Sequence, residues 1–160
     1  MPPTKRTDAE AILPDLTDEL ARLRADPTLL DTAVEEVLRV ACPQIHFRRT
    51  ATVDTELRGQ QIAAGDKVVT WYAAANTDPA AFPDPYRFDI ARTPNRHVTF
   101  GGGGPHLCLG QWMARLEVRV LLEALVRDVD RIELAGPVER VRSNFINGVK
   151  RCPAVLHPRR

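Results

Sequence analysis

The sequence is poor in cysteine, in net charge and in long apolar stretches. Its cysteines, Cys42, Cys108 and Cys152, are odd in number and widely spaced, which predicts neither a disulfide framework nor a paired-cysteine zinc site. The formal net charge of +1 gives no reason to expect nucleic acid or another polyanion as a partner. No apolar run approaches the roughly 20 residues of a membrane-spanning helix, and residues 1–10 lack the apolar core of a secretory signal. We therefore expect a cytoplasmic protein without a membrane segment.

The remaining composition, 44% apolar and 27% charged residues, is that of an ordinary globular domain. Two helices are predicted in its N-terminal part. The first ends at Ala25, before Pro27. The second is capped by Asp31 or Thr32 and is ended by Pro43. Apolar residues recur in both at helical spacing: Leu16, Leu20, Leu23, Val34, Val37 and Leu38.

The middle of the chain changes character twice. Residues 46–53 and 67–72 are rich in strand formers and are separated by glycine turns, which predicts a small antiparallel sheet. Residues 77–99 then show prolines without periodicity, although their aromatic residues favour an ordered loop. A long amphipathic helix is predicted over residues 111–129 and a strand over 131–134. A hairpin is predicted around Asn147-Gly148, between residues 138–145 and 149–156.

The segment with the strongest chemical signal is FGGGGPHLCLG, from Phe100 to Gly110, directly before the long helix. Glycines let the backbone approach a flat ligand closely, and the positive end of a helix dipole favours a cysteine thiolate. A thiolate held by backbone N–H groups can bind iron. An inert cysteine in a glycine-rich turn is the alternative. A phosphate loop does not fit, because the pattern GxxxxGK[ST] is missing.

This segment resembles the haem-thiolate signature of the cytochromes P-450, F-G-x-G-x-H-x-C-x-G. The resemblance implies that Cys108 ligates the iron of haem b, that Gly102, Gly104 and Gly110 shape the loop, and that His106 contacts a haem propionate. Phe100 precedes the cysteine by eight residues, one more than the commonest spacing. We associate this longer form with bacterial enzymes that hydroxylate steroid side chains and methyl-branched lipids.

Further segments resemble the same family in the same order. Glu36 and Arg39 match the E-x-x-R motif of the K helix, and Arg87 matches an arginine that joins this buried pair. Arg49 matches the strand arginine that binds a propionate. Residues 145–150 resemble a hairpin that closes the substrate pocket. The resemblance extends from about Leu16 to His157, and we expect residues 16–160 to form a partial P-450 domain, whereas residues 1–15 match nothing.

The implied fold is α+β and mainly helical: the C-terminal portion of the P-450 fold, with K helix, small antiparallel sheet, meander, cysteine-ligand loop, L helix and terminal hairpin. The implied activity is a haem-dependent monooxygenase that inserts one oxygen atom of O2 into a C–H bond of a small apolar substrate, with steroids and lipids as candidates. Electrons would come from a ferredoxin or flavoprotein, with Arg115 and Arg119 as candidate docking residues.

The family's central I helix, with its acidic residue and threonine, has no counterpart in this sequence, so no catalytic residue is predicted. A missing N-terminal half is therefore a candidate partner. Two alternatives follow from the same observation. The chain could be a haem-binding remnant or scaffold without oxygen chemistry, or a structural protein that no longer binds haem.

Overall fold

The computed structural model describes residues 9–159, with side chains described from residue 16 onward. The helices, with a single 3-10 turn (Pro27–Leu29) before α2, are α1 (Ala9–Ala25), α2 (Leu30–Ala41), α3 (Tyr72–Ala75) and α4 (Gln111–Asp128). The strands are β1 (His46–Thr50), β2 (Thr55–Leu57), β3 (Gln60–Ile62), β4 (Lys67–Trp71), β5 (Val129–Leu134), β6 (Glu139–Arg140), β7 (Val149–Arg151) and β8 (Ala154–Pro158).

The first two helices differ from the sequence prediction at their starts. α1 begins at Ala9 and therefore crosses the expected boundary after residue 15, while residues 1–8 of that expected segment lie outside the described residues. The predicted caps of α2 are wrong, because Asp31 and Thr32 lie inside the helix. Helical conformation already starts at Pro27, whose fixed φ suits a first turn. Asp26 caps that turn by accepting a hydrogen bond from the Thr28 amide at 3.1 Å.

The core lies where α1, α2 and α4 pack together with the loop of residues 77–99. It contains only one buried residue from α4, Leu122, against several from α1 and α2. Its buried members are Leu20, Leu23, Ala33, Val34, Leu38, Phe88, Ile90 and Leu122. The helical layer therefore joins α2 to the second half of α4.

The described strands form two-stranded antiparallel ribbons. β1 pairs with β4, which confirms the predicted sheet of residues 46–53 and 67–72. The sequence prediction missed the β2–β3 hairpin, whose turn contains Gly59 at φ +81°. The C-terminal hairpin is correct only in part. β6 pairs with β7 across a longer loop than the Asn-Gly turn, and β8 pairs with β5 instead of extending the hairpin.

Residues 77–99 contain no helix or strand, as predicted. Phe82 and Phe88 are buried, whereas Tyr86 is exposed, so the loop is packed through two of its three aromatic residues. Across the described residues, no helix has the length and apolar character needed to cross a membrane.

Candidate functional site

An open depression of about 210 Å³ lies between the β1–β4 ribbon and the loop before α4. It brings together three residues that the sequence predicted as ligand contacts: Arg49, His106 and Cys108. The full lining is Gln44, Phe47, Arg49, Tyr72, Thr99, Phe100, His106 and Cys108. One ligand of suitable size can therefore contact a thiol, an imidazole and a guanidinium at once.

Cys108 lies three residues before α4, in a loop that folds back on its own start. Its N–H donates to the carbonyl of Phe100 at 3.0 Å, and its carbonyl accepts from the amide of Gln111 at 3.3 Å. The side chain is exposed and unpaired with another cysteine. The loop thus presents the sulfur just before the beginning of a helix.

The glycines of this loop differ in whether their backbone conformation requires a glycine. Gly104 has φ +78°, a left-handed conformation that a side chain strains. Gly102 has no such φ, and a Cβ there would meet nothing within 4 Å. Gly110 precedes the first residue of α4 and has no such φ either. Gly101, which the sequence prediction did not select, has φ +93°. The space above Gly102 and Gly104 leaves that side of the loop backbone uncovered.

Arg49 has an unused charge beside the depression. Its guanidinium donates to the neighbouring Arg48 carbonyl at 3.0 Å and lies 5.9 Å from the Phe47 ring centroid. Among the described residues it has no carboxylate partner. An arginine without a carboxylate partner beside a depression is suited to bind an anionic group of a ligand.

Glu36 and Arg39 form a buried bidentate pair. Arg39 Nε lies 2.8 Å from Glu36 Oε2, and Arg39 Nη2 lies 2.8 Å from Oε1. Both side chains are 0% exposed. Arg39 Nη1 also donates to the carbonyls of Asn76 and Pro85, each at 2.8 Å. The pair therefore ties α2 to the loop of residues 77–99.

The arginine that joins this pair is Arg92, and the prediction of Arg87 is wrong. Arg92 Nε lies 3.2 Å from the Glu36 carboxylate. The Arg87 side chain is exposed, and its carbonyl oxygen accepts hydrogen bonds from Arg39 at 3.3 Å and Arg92 at 3.0 Å. The loop turns between these positions, so that Arg87 contributes backbone where a side chain was expected.

Asn76 is a buried link to the site that sequence reasoning missed. Its Nδ2 donates to Thr99 Oγ1 at 2.9 Å and to the Arg39 carbonyl at 3.2 Å, while its Oδ1 accepts from the Val98 amide at 2.8 Å. Asn76 therefore fixes the segment that leads into Phe100. Nothing in its sequence neighbourhood distinguishes it from an ordinary loop asparagine.

The C-terminal loop of residues 145–150 lies beside the segment that follows α2. The Asn147 amide donates to the Pro43 carbonyl at 2.8 Å, and Phe145 stacks edge-on against Phe47 at 5.4 Å between centroids. Since Phe47 lines the depression, this loop supports its wall from outside.

Two arginines of α4 form ion pairs with carboxylates of α2. These are the two arginines that the sequence suggested for partner docking. Arg115 Nε lies 2.7 Å from Glu35, and Arg119 pairs with Asp31. Their charges are therefore largely compensated within the chain, which weakens the docking prediction.

The three cysteines differ sharply in environment. Cys42 is buried at the end of α2, and burial raises the pKa of its thiol to about 11, so it stays protonated at neutral pH. Cys108 and Cys152 are exposed. Of these two, only Cys108 lies in the depression with Arg49 and His106.

Comparison with known proteins identifies the family. The family model for cytochrome P450 matches residues 17–132, more than half of the chain. The chain is 49% identical over 142 residues to linalool 8-monooxygenase of Pseudomonas putida, covering 89% of this chain and 35% of that protein. It is 50% identical over 125 residues to a methyl-branched lipid omega-hydroxylase of Mycobacterium bovis, covering 78% and 29%.

Solved structures agree with these relatives. A Mycobacterium marinum cytochrome P450, CYP268A2, in complex with pseudoionone matches with a TM-score of 0.83 and 45% identity, covering 90% of this chain and 34% of that one. The chain therefore belongs to the cytochrome P450 family and has part of its fold, as predicted. It spans about a third of the length of the relatives it matches.

The family's cofactor is haem, which confirms the cofactor prediction, and the matched relatives are named monooxygenases and hydroxylases. These activities are those of the matched relatives, of which this chain covers 35% and 29%. The correspondence also includes the segment in which Cys108 lies, since the matched range extends from α1 to β5.

Proposed function

We propose that this chain supplies the thiolate side of a haem site, with Cys108 as the iron ligand, to a P450 monooxygenase. One observation carries the proposal: the exposed sulfur of Cys108 shares a single depression with Arg49 and His106. Haem would take a thiolate from the protein for its iron and cationic side chains for its propionates. These three side chains have the required chemistry.

The residues fit haem in two further respects. Arg49 has no carboxylate partner among the described residues and is therefore free to pair with a propionate. A Cβ at Gly102 or Gly104 would meet nothing within 4 Å, which leaves room for a flat ligand on that side of the loop. Bound haem supplies oxygen activation, and an electron-rich thiolate ligand favours cleavage of the O–O bond. The residues of this chain hold and orient the cofactor.

The proposed reaction inserts one oxygen atom of O2 into a C–H bond of a small apolar substrate and reduces the other atom to water. The printed names of two relatives, an enzyme of linalool and one of methyl-branched lipids, support an apolar substrate, with lipids or steroids as candidates. Electrons would come from NAD(P)H through a ferredoxin or flavoprotein. The free thiols of Cys108 and Cys152 support a reducing, cytoplasmic location.

The proposal includes one partner, the remaining part of a P450 fold. The outer face of α4 exposes Trp112, Met113, Leu116 and Val120, each between 55% and 74% exposed. An apolar stripe of this size on a helix usually packs against another element. The relatives contain about twice as much additional chain, because this one spans 35% of the linalool enzyme. That additional chain is the occupant we propose for this face.

Haem titration tests the thiolate assignment. Haem is added to the purified chain, and the reduced carbon monoxide complex is recorded for the wild type, Cys108→Ala and Cys152→Ala. We expect a strongly red-shifted Soret band for the wild type and for Cys152→Ala, because Cys152 lies outside the depression. A red-shifted band that survives in Cys108→Ala overturns the assignment.

A second candidate function is haem binding without oxygen chemistry. The open form of the depression favours it, since the described residues do not enclose the space beside Cys108. Product formation separates the two functions. The haem-loaded chain is assayed with a ferredoxin system and linalool, alone and together with the unmatched portion of the Pseudomonas putida relative. Hydroxylated product supports the monooxygenase. Haem binding without product in both cases supports the second candidate.

A further inference from the structure

Two adjacent carboxylates of α2 serve different networks. Glu36 belongs to the buried cluster with Arg39, whereas Glu35 faces α4. Arg115 of α4 binds Glu35 through two hydrogen bonds, Nε to Oε1 at 2.7 Å and Nη2 to Oε2 at 3.0 Å. A guanidinium and a carboxylate in this arrangement fix each other's orientation as well as their distance.

His97 completes the second network from the loop side. Its side chain is 2% exposed, and its Nε2 lies 3.0 Å from Glu35 Oε2. Its Nδ1 accepts the backbone N–H of Thr99 at 3.3 Å. Because Nδ1 accepts, the ring proton belongs on Nε2, which then donates to Glu35. The His97 hydrogen bond, followed by those of Arg115, lowers the pKa of Glu35 to about 2 although burial acts to raise it.

Phe100 lies near both partners of Glu35. The Arg115 guanidinium carbon is 4.7 Å from the centroid of the Phe100 ring, and the His97 ring centroid is 6.1 Å from it. The Phe100 carbonyl in turn accepts the N–H of Cys108 at 3.0 Å. A continuous path of contacts therefore runs from a carboxylate on α2 to the backbone of the proposed iron ligand.

We propose that Glu35, His97 and Arg115 are positioning residues that hold Phe100, and through its carbonyl the backbone of Cys108, in place beside the depression. This inference rests on the proposed role of Cys108 in binding haem. Arg115 then acts within the chain as a clamp and is not a free docking charge. The clamp joins the three segments that surround the cysteine loop: α2, the end of the loop of residues 77–99, and α4.

The chain offers a matched control for this network. Asp31 and Arg119 also join α2 to α4 by an ion pair, but Asp31 is 80% exposed and neither residue contacts Phe100. Asp31→Asn therefore removes a helix–helix charge pair without touching the clamp. Glu35→Gln removes the charge of the clamp while keeping the size of the side chain.

Amide hydrogen exchange of the haem-free chain is the first readout. We expect Glu35→Gln to speed exchange at the Cys108 amide by about tenfold relative to the wild type, because local opening of its bond to Phe100 becomes easier. Asp31→Asn should leave that rate unchanged. The amide of Leu122 in the middle of α4 serves as internal reference, because global unfolding accelerates both amides and local release only that of Cys108.

The second readout is the reduced carbon monoxide spectrum of the haem-loaded chain. Glu35→Gln and Arg115→Lys should shift or broaden the red-shifted band, since lysine keeps the charge but loses the paired hydrogen bonds and the stacking on Phe100. Asp31→Asn should match the wild type. If Glu35→Gln and Asp31→Asn behave alike in both measurements, the clamp is refuted while the haem assignment stands. If the wild type itself lacks the red-shifted band, the assignment of Cys108 fails instead.

Discussion

The polar groups around Glu36 are buried and paired within the chain, whereas those around Cys108 are exposed. Glu36 and Arg39 are fully buried, and their charged atoms are matched by side chains and carbonyls of the same chain. Cys108 and Arg49 are open to solvent, and Arg49 has only a backbone partner among the described residues. Polar groups satisfied internally hold the scaffold, whereas polar groups gathered in a depression without partners are suited to a ligand.

The largest effect should come from removing the acid of the buried cluster. Glu36→Gln leaves Arg39 and Arg92 without a compensating charge in the interior, which costs about 3–5 kcal/mol of unfolding free energy. Urea unfolding followed by circular dichroism measures this change. Asp31→Asn, which removes an exposed pair, should cost less than about 1 kcal/mol. Equal losses in both variants would show that the cluster does not stabilise the scaffold.

Two adjacent leucines of α4, one buried and one exposed, allow the stability cost of truncation to be compared within one helix. Leu122 is 6% exposed and belongs to the core, whereas Leu121 is 58% exposed. Leu122→Ala should lower the unfolding free energy by about 2–5 kcal/mol, and Leu121→Ala by about 0.5 kcal/mol or less. The same denaturation experiment measures both. A large loss in Leu121→Ala would mean that the outer face of α4 is already covered, for example by self-association.

The scaffold was predictable from the sequence wherever one pattern determined one element. The periodicity of α4 and the strand-forming residues of β1 and β4 are examples, and family motifs led to the buried pair of Glu36 and Arg39. The choice of Arg92 over Arg87 was not predictable in this way. Both arginines lie in the same aperiodic loop, and only its three-dimensional turn decides which side chain points inward.

The candidate site also has one part that was predictable from the sequence and one part that was not. Its linear part, the cysteine loop, is visible in the sequence as a run of glycines before a helix. The residues that support this loop from elsewhere, Glu35, Asn76 and His97, carry no local signal, because their roles depend on contacts between segments far apart in the chain. The β6–β7 and β5–β8 pairings were likewise missed in part, since short ribbons are selected by tertiary packing more than by local pattern.

Two neighbouring arginines on β1 allow haem affinity to be compared between a residue that lines the depression and one that does not. Arg49 lines it and Arg48 does not, because successive side chains of a strand point to opposite faces. Arg49→Ala should weaken haem binding by the value of one charged hydrogen bond, about 1.5–3 kcal/mol or roughly 10- to 150-fold in Kd. Arg48→Ala should leave Kd close to that of the wild type. Titration with haem measures both, and equal affinities in the two variants would remove Arg49 from the site.

A pH dependence of the unfolding free energy is expected from Glu35. Its pKa is lowered from 4.5 to about 2, first by the His97 hydrogen bond, so its folded state favours the charged form. The stabilisation is complete above about pH 4.5 and is lost as the pH falls toward 2. Unfolding midpoints measured across this window should drop less steeply in Glu35→Gln than in the wild type. Identical slopes would show that Glu35 is not engaged in solution.

Protection of individual cysteines by haem tests the central claim most directly. The chain is treated with iodoacetamide with and without bound haem, and labelling at each cysteine is followed by mass spectrometry. If the Cys108 sulfur binds iron, haem slows its labelling by about tenfold or more while exposed Cys152 reacts at an unchanged rate. Cys108 labelled equally fast in both states would contradict the assignment.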